Sequence, residues 1–131
     1  MTAVILIVLG IAVIFFLWYF KRQKKYRKEV VNYNIEETKQ RLKDEKNTIL
    51  LDVRTHMERR LKVIQGSIHI PLHDLKHGVE KLKEHIDKEI ICYCHSGVRS
   101  LSAAYILKQN GIKSANMKGG IVAWISFEKN K

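Results

Sequence analysis

The hydrophobic and polar positions divide the chain into one long apolar segment and a longer region of alternating apolar and polar runs. From Ala3 to Phe20 there is no charged side chain. Eighteen helical residues at about 1.5 Å each span about 27 Å, close to the hydrocarbon thickness of a bilayer. The segment is apolar on every face, and the rest of the chain is too small to bury so long a helix. Residues 1–20 are therefore predicted to form a transmembrane anchor.

Beyond the anchor, the spacing of apolar residues alternates between the periods of strands and helices. A near-continuous apolar run such as Thr48–Val53 is typical of a buried parallel strand, whereas the residues from Leu75 to Ile86 repeat an apolar position every three or four residues. Alternating strands and helices predict an α/β fold, with a mostly parallel sheet flanked by helices. The predicted strands are Val30–Tyr33, Thr48–Val53, Ser67–Ile70, Glu89–Cys94 and Ser114–Met117; the predicted helices are Ile35–Glu45, His73–Ile86, Arg99–Asn110 and a closing helix that carries Trp124.

Basic residues follow the anchor directly. Six of the 24 Lys and Arg residues lie between Lys21 and Lys28, and residues 1–28 contain no acidic one, in a chain of net charge +11. The positive-inside rule then places the C-terminal region in the cytosol, with the N-terminus outside the cell membrane. A cleaved signal peptide needs a basic stretch before the apolar run and a small-residue cleavage site after it, and both are missing. The predicted organisation is an anchor at 1–20, a basic juxtamembrane linker at 21–29 and one globular domain at 30–131.

The basic linker has two interpretations that fit equally well. It attracts anionic lipid headgroups, at about 1 kcal/mol per residue near the surface, or it is only a topology signal and a solvated linker. Nucleic acid is not expected as a partner, because the basic cluster is tied to the predicted membrane segment and no nucleic-acid-binding motif is present.

The strongest chemical signal is Cys94, which stands where a short apolar strand ends and a helix is about to begin. Backbone amides in such a turn point at an anion in the loop, and the dipole of the following helix adds partial positive charge. Both effects favour the thiolate, so Cys94 is predicted to be a nucleophile rather than an inert core cysteine. Cys92 lies within the strand and is predicted to be core, with a resolving role as the alternative. A disulfide between the two would be strained, and free thiols suit a reducing compartment.

Several separated motifs resemble those of single rhodanese domains, over about residues 30–128. They are Asp52-Val53-Arg54, Glu58, Gly66 with Ile70-Pro71, Cys94-His95-Ser96-Gly97-Val98-Arg99-Ser100, and Gly119-Gly120 with Trp124. The resemblance implies a rhodanese-like fold and a sulfurtransferase in which Cys94 accepts a sulfane sulfur as a persulfide and passes it on. It also implies a small anionic sulfur donor such as thiosulfate, a thiol or thioredoxin-like acceptor, and no metal or organic cofactor.

The residues of the cysteine loop have expected roles in this chemistry. Loop amides between His95 and Arg99 are expected to stabilise the thiolate and the terminal persulfide sulfur, and the Arg99 guanidinium adds a fixed cation. Gly97 lets the backbone curl tightly with its amide inward. Ser100 can cap the following helix or donate a hydrogen bond. The side chains of His95 and Ser96 are candidates for selecting the donor.

The length of the loop separates two kinds of chemistry within the resemblance. Arg99 lies five positions after Cys94, whereas cysteine phosphatases and rhodanese-related arsenate reductases place the arginine six positions after the cysteine. The smaller ring suits a single sulfur atom, so sulfur transfer ranks above dephosphorylation or arsenate reduction. The other alternative is a noncatalytic module that binds a partner or senses redox state, with Cys94 modified but not turning over.

Two further sets of polar residues were candidates for function. Asp52 and Arg54 end a predicted central strand, at the edge where parallel sheets bind ligands. They are expected to support the loop, with a simple solvated strand end as the alternative. His73 and His77 have the spacing of metal ligands on a helix, but no carboxylate or cysteine completes a site, so no metal is predicted.

Overall fold

A computed structural model describes all residues from 1 to 131 and contains one five-stranded sheet. Its strands are β1 (Val31–Tyr33), β2 (Thr48–Asp52), β3 (Ile68–His69), β4 (Glu89–Tyr93) and β5 (Ser114–Met117). Every pairing is parallel, and the strand order is β1-β5-β4-β2-β3. The predicted α/β fold with a parallel sheet is confirmed, and each strand ends within one residue of its expected bounds.

Six helices accompany the sheet. They are α1 (Thr2–Glu29), α2 (Ile35–Leu42), α3 (His56–Leu61), α4 (Leu75–Leu82), α5 (Val98–Gln109) and α6 (Gly120–Lys129). The helix predicted from His73 to Ile86 is shorter in the structure, because single 3₁₀ turns at Leu72–Asp74 and Lys83–His85 flank α4. A 3₁₀ turn advances by a larger angle per residue than an α-helix. Ile86, expected at the end of the buried stripe, is consequently 57% exposed, and that part of the prediction is wrong.

The two faces of the sheet carry separate hydrophobic cores. One core, beneath α4, α5 and the end of α1, includes Tyr26, Leu75 and Leu101. The other, beneath α2 and α6, includes Ile35 and Ile121. Both faces are covered, as parallel strands require. Since the carboxyl ends of all five strands lie at one edge, the loops that follow β2, β4 and β5 meet there.

The two ends of α1 have different surroundings. Every residue from 2 to 20 is exposed. By length and composition this apolar part could cross a membrane, and signal sequences meet the same two criteria. The last turns pack on α5 instead. The ring of Tyr26 stacks on that of Tyr105 with centroids 4.2 Å apart, and Lys108 Nζ donates to the Glu29 carbonyl. Residues 21–29, expected to be a linker, therefore continue the helix and contact the globular part of the chain.

Candidate active site

Cys94 lies directly after β4, at the carboxyl edge of the sheet, and α5 begins at Val98. The residue is only 1% exposed. The Gly97 N–H donates to its Sγ at 3.1 Å, and the Ser100 hydroxyl donates to it at 3.3 Å. The turn thus wraps around the sulfur with polar hydrogens directed inward.

The pKa of the Cys94 thiol is held below its ordinary value. Burial is the largest single influence and raises this pKa, but it is outweighed by hydrogen bonds from the Ser100 hydroxyl and from the N–H groups of Ser100, Gly97 and Ser96. The thiolate, which is the nucleophilic form, is favoured as a result. Cys92 behaves oppositely, since it is fully buried and burial raises its pKa, so it stays a thiol within the core.

The N-terminus of α6 fixes the direction of the loop amides. The Ile121 N–H donates to the Cys94 carbonyl at 2.9 Å, and the Val122 N–H donates to the His95 carbonyl at 3.3 Å. In a trans peptide unit the C=O and the N–H point in opposite directions. Because α6 holds the His95 carbonyl, the Ser96 N–H of the same peptide unit faces away from α6 and toward the sulfur.

This close packing requires glycine at two positions. A Cβ on Gly120 would lie 2.3 Å from the His95 carbonyl oxygen, so a side chain there would push α6 off the loop. Gly97 has a φ of 101°, in the left-handed region, and a Cβ on it would lie 3.1 Å from the Gly119 nitrogen. The two glycines keep the loop and α6 in backbone contact.

Arg99 forms a bidentate ion pair with Glu58. Its Nη1 and Nη2 donate to the two carboxylate oxygens at 2.8 and 2.7 Å. These bonds hold the pKa of Glu58 far below its usual range, and Glu58 in turn raises the pKa of Arg99. The cation expected from Arg99 is therefore fixed in place, but its charge is matched by a carboxylate.

Glu58 is among the motif residues of the resemblance, but the sequence assigns it no role at the cysteine loop. The structure shows that it belongs to a capping box at the start of α3, where it accepts from the Thr55 N–H at 2.9 Å. The spacing of Thr55 and Glu58 was the local signal for that cap. Nothing local indicated that the same carboxylate reaches the cysteine loop.

Asp52 and Arg54 form a buried ion pair, with 0% and 3% of their side chains exposed, so a solvated strand end is excluded. Arg54 donates from Nε and Nη2 to both Asp52 oxygens, at 3.0 and 2.9 Å, and the Tyr93 hydroxyl donates to Asp52 at 3.0 Å. Arg54 also donates to the Glu58 carbonyl at 3.4 Å. Neither residue hydrogen-bonds to the sulfur. They hold Tyr93, which precedes Cys94, and α3, which carries Glu58.

Ser100 is fully buried and makes no side-chain cap for α5. Besides facing the sulfur, its hydroxyl lies 2.6 Å from Asn116 Oδ1, and Asn116 Nδ2 donates to Asn32 Oδ1 at 2.9 Å. The sequence pattern did not single out Asn116, whose only signal is a polar residue between the apolar Ala115 and Met117 in β5. Polar contacts thus link the sulfur through Ser100 and Asn116 to β1.

The remaining loop side chains form an exposed rim. His95, Ser96 and Val98 are all exposed, and the side chains of His95 and Ser96 make no hydrogen bond to the rest of the protein. These two side chains can therefore turn toward a bound molecule. No group of three or more His, Cys, Asp or Glu side chains is placed to hold a metal ion.

A cysteine cradled by amides after a parallel strand, with a glycine pair packed against its loop, corresponds to a known type of domain. The family of the Rhodanese-like domain matches residues 34–127. The chain belongs to the rhodanese-like family. A sulfurtransferase from Allochromatium vinosum is 33% identical to this rhodanese-like chain over 90 residues, which is 68% of this chain and 82% of that protein. Sulfur transfer is thereby supported as the general activity.

The rhodanese-like match extends to solved structures and to larger proteins. A rhodanese-related protein from Thermoplasma volcanium superposes with a TM-score of 0.65 at 30% identity, covering 73% of this chain and 91% of that one. A tRNA uridine(34) hydroxylase from Buchnera aphidicola is 32% identical over 87 residues, and the match covers 28% of that protein. Rhodanese-like domains therefore occur both in sulfurtransferases of similar length and inside a much longer enzyme.

Proposed function

We propose that this rhodanese-like domain moves a sulfane sulfur from a small anionic donor such as thiosulfate to a thiol or thioredoxin-like acceptor, through a persulfide on Cys94. The observation that carries the proposal is the convergence of donors on one sulfur atom. The N–H groups of Ser96, Gly97 and Ser100 and the Ser100 hydroxyl all favour negative charge there. The same donors stabilise the thiolate before transfer and the persulfide after it.

Two displacement steps complete the cycle. The Cys94 thiolate attacks the outer sulfur of thiosulfate; a bond from Cys94 to that sulfur forms, the donor's sulfur–sulfur bond breaks, and its electron pair leaves on sulfite. An acceptor thiolate, having released its proton to solvent, then attacks the outer sulfur of the persulfide. The new bond forms on the acceptor, and the electron pair of the broken bond returns to Cys94. Cys94 is a thiolate again at the end, and because each step is a displacement at sulfur with a leaving group that takes the electron pair, the proposed cycle includes no metal or organic cofactor.

Sulfite release under steady-state conditions tests this proposal. The full chain in a non-ionic detergent should release sulfite from thiosulfate continuously when a thiol is present. Cys94→Ala should abolish the release. Cys92→Ala is the matched control two residues away, and it should retain turnover because Cys92 lies in the core and carries no expected charge. Undiminished turnover by Cys94→Ala would contradict the mechanism.

The alternatives give different results in the same preparation. A noncatalytic module for partner binding or redox sensing would show a modified Cys94 that no thiol discharges. A phosphatase or arsenate reductase would act on an aryl phosphate or on arsenate while leaving thiosulfate intact. The relative from Allochromatium vinosum, a sulfurtransferase by name, favours sulfur transfer over both.

We also propose that residues 1–20 hold the domain at the cell membrane, with the N-terminus outside and the domain in the cytosol. The exposed apolar surface of α1 up to Phe20 is far larger than soluble monomers usually present to water. The basic residues between Lys21 and Lys28 support the orientation and add attraction to anionic lipids. A reporter fused after Lys131 should give a cytosolic signal, and an extracellular signal would overturn the proposed topology.

A further inference from the structure

A groove of about 500 Å³ lies beside the cysteine loop. Its walls are the last turns of α1, the carboxyl ends of β1 and β5, and the backbone of the loop at Ser96 and Gly97. The N–H groups of Ser96 and Gly97 also face the Cys94 sulfur. The groove and the nucleophile therefore share a wall.

The groove is positively charged and contains no compensating carboxylate. Arg27 and Lys118 line it, no Asp or Glu does, and neither cation takes part in an ion pair. Arg99, the cation of the loop itself, is already matched by Glu58. Unpaired cations in a concave site attract anions and can bind them through charge-assisted hydrogen bonds. The unpaired positive charge beside the cysteine loop thus comes from Arg27 on α1 and from Lys118, which follows β5.

The size and lining of the groove suit an organic anion better than a small inorganic one. Pockets that hold organic ligands measure about 300–1,000 Å³, and this groove lies within that range. Gln23 adds a side-chain amide, and Val98, which is 44% exposed, adds an apolar surface. Such a lining offers contacts to the carbon skeleton of a ligand as well as to its charges.

We infer that the groove binds the carboxylates of a small thiol acceptor and directs its sulfur to the Cys94 persulfide, with Arg27 and Lys118 selecting charged over neutral thiols. The inference rests on the proposed sulfur transfer and specifies its second step. Arg27 precedes residues 34–127, which match the family. Arg27 belongs to α1, the same helix that carries the apolar segment.

The test compares two acceptor thiols, with the full chain in a non-ionic detergent and thiosulfate as donor. Mercaptosuccinate carries two carboxylates, and thioglycerol carries none. The double variant Arg27→Gln/Lys118→Gln should lower kcat/KM for mercaptosuccinate about tenfold, which corresponds to about 1.4 kcal/mol. Its kcat/KM for thioglycerol should stay within about twofold of the wild-type value, because this thiol shares the reacting thiolate but has no carboxylate for the two cations to bind.

Lys28→Gln is the matched control. Lys28 is exposed on the same helix and does not line the groove, and its substitution removes one positive charge against the two that the double variant removes. It should leave kcat/KM unchanged for both thiols. A loss of about threefold or more in Lys28→Gln, half of the double variant's effect in free energy, would show a general effect of net charge and would overturn the assignment of the groove.

A second measurement does not depend on sulfur transfer. Succinate, an unreactive dicarboxylate, should slow the alkylation of Cys94 by the neutral reagent iodoacetamide in the wild type and in Lys28→Gln. It should not slow alkylation in Arg27→Gln/Lys118→Gln.

The outcomes separate this inference from the proposed function. If a persulfide forms and passes to thioglycerol, but the double variant keeps the wild-type preference and succinate gives no protection, the groove assignment fails and sulfur transfer stands. If succinate protects Cys94 through the two cations but no persulfide forms, anion binding by the groove stands and sulfur transfer fails. If the double variant loses only affinity for vesicles of anionic lipid, the groove belongs to lipid headgroups and the inference is overturned.

Discussion

Removal of the Ser100 hydroxyl should raise the pKa of Cys94. This hydroxyl lies 3.3 Å from the sulfur and 2.6 Å from Asn116 Oδ1, and a single proton can serve only one of them at a time. With the thiolate present, the proton turns to the sulfur; with the thiol present, it turns to Asn116. Ser100→Ala removes the hydroxyl from both acceptors and leaves the thiolate with backbone donors only.

The size of the effect follows from the two competing hydrogen bonds. A hydrogen bond to a charged group contributes about 1.5–3 kcal/mol and one between neutral groups about 1 kcal/mol. The thiolate gains the first and gives up the second, so the net preference is about 0.5–2 kcal/mol. At 1.36 kcal/mol per unit, the pKa of Cys94 in Ser100→Ala should rise by about one unit.

The assay is the pH dependence of alkylation by iodoacetamide, which reacts with the thiolate. Cys92 is fully buried with a raised pKa, so the measured rate reports on Cys94. The midpoint of the rate profile should move up by about one unit in Ser100→Ala, and the rate below the midpoint should fall about tenfold. Ser96→Ala is the control, because its backbone N–H, which reaches the sulfur, is retained. An unshifted midpoint in a folded Ser100→Ala variant, or an equal shift in Ser96→Ala, would refute the reasoning.

Three further predictions concern the residues that hold the site. Gly120→Ala should force α6 away from the loop, costing about 1–3 kcal/mol of unfolding free energy and slowing alkylation of the nucleophile; unchanged thermal unfolding and alkylation would contradict the close packing. Asp52→Asn leaves the Arg54 charge buried without a carboxylate and should cost about 3–5 kcal/mol in denaturant unfolding; a loss below about 1 kcal/mol would count against a buried ion pair. The pKa of Glu58 is lowered, so its ionised form stabilises the fold above about pH 4.5, and this contribution is lost as the pH falls toward the folded value. Glu58→Gln should therefore lower the Tm at neutral pH, with a gap from wild type that narrows in acid; a gap independent of pH would contradict the ion pair.

Local patterns were sufficient for the strands and for the position of Cys94 between a strand and a helix. A strand buried on both faces needs consecutive apolar residues, and Thr48–Asp52 and Glu89–Tyr93 have them. The ends of helices were predicted less well. The helix that begins at Ile35 ends at Leu42, three residues earlier than expected, since helix ends depend on contacts with other elements as well as on local propensity.

Contacts between distant parts of the chain were beyond the sequence pattern. The partner of Arg99 is Glu58, 41 positions away, and the second partner of the Ser100 hydroxyl is Asn116, 16 positions away. The uncharged run from Ala3 to Phe20 indicated an apolar span but not the stacking of Tyr26 on α5. Each of these pairs is set by how the elements pack, so no window of neighbouring residues contains the information.

The central claim, a sulfane sulfur carried on Cys94, is tested most directly by the mass of the Cys94-containing peptide after thiosulfate treatment of the full chain. The mass should increase by one sulfur atom in the wild type and in Cys92→Ala, not in Cys94→Ala, and should return to its starting value when a thiol is added. A peptide that keeps its original mass in excess thiosulfate, or that gains the sulfur at Cys92, would contradict the claim.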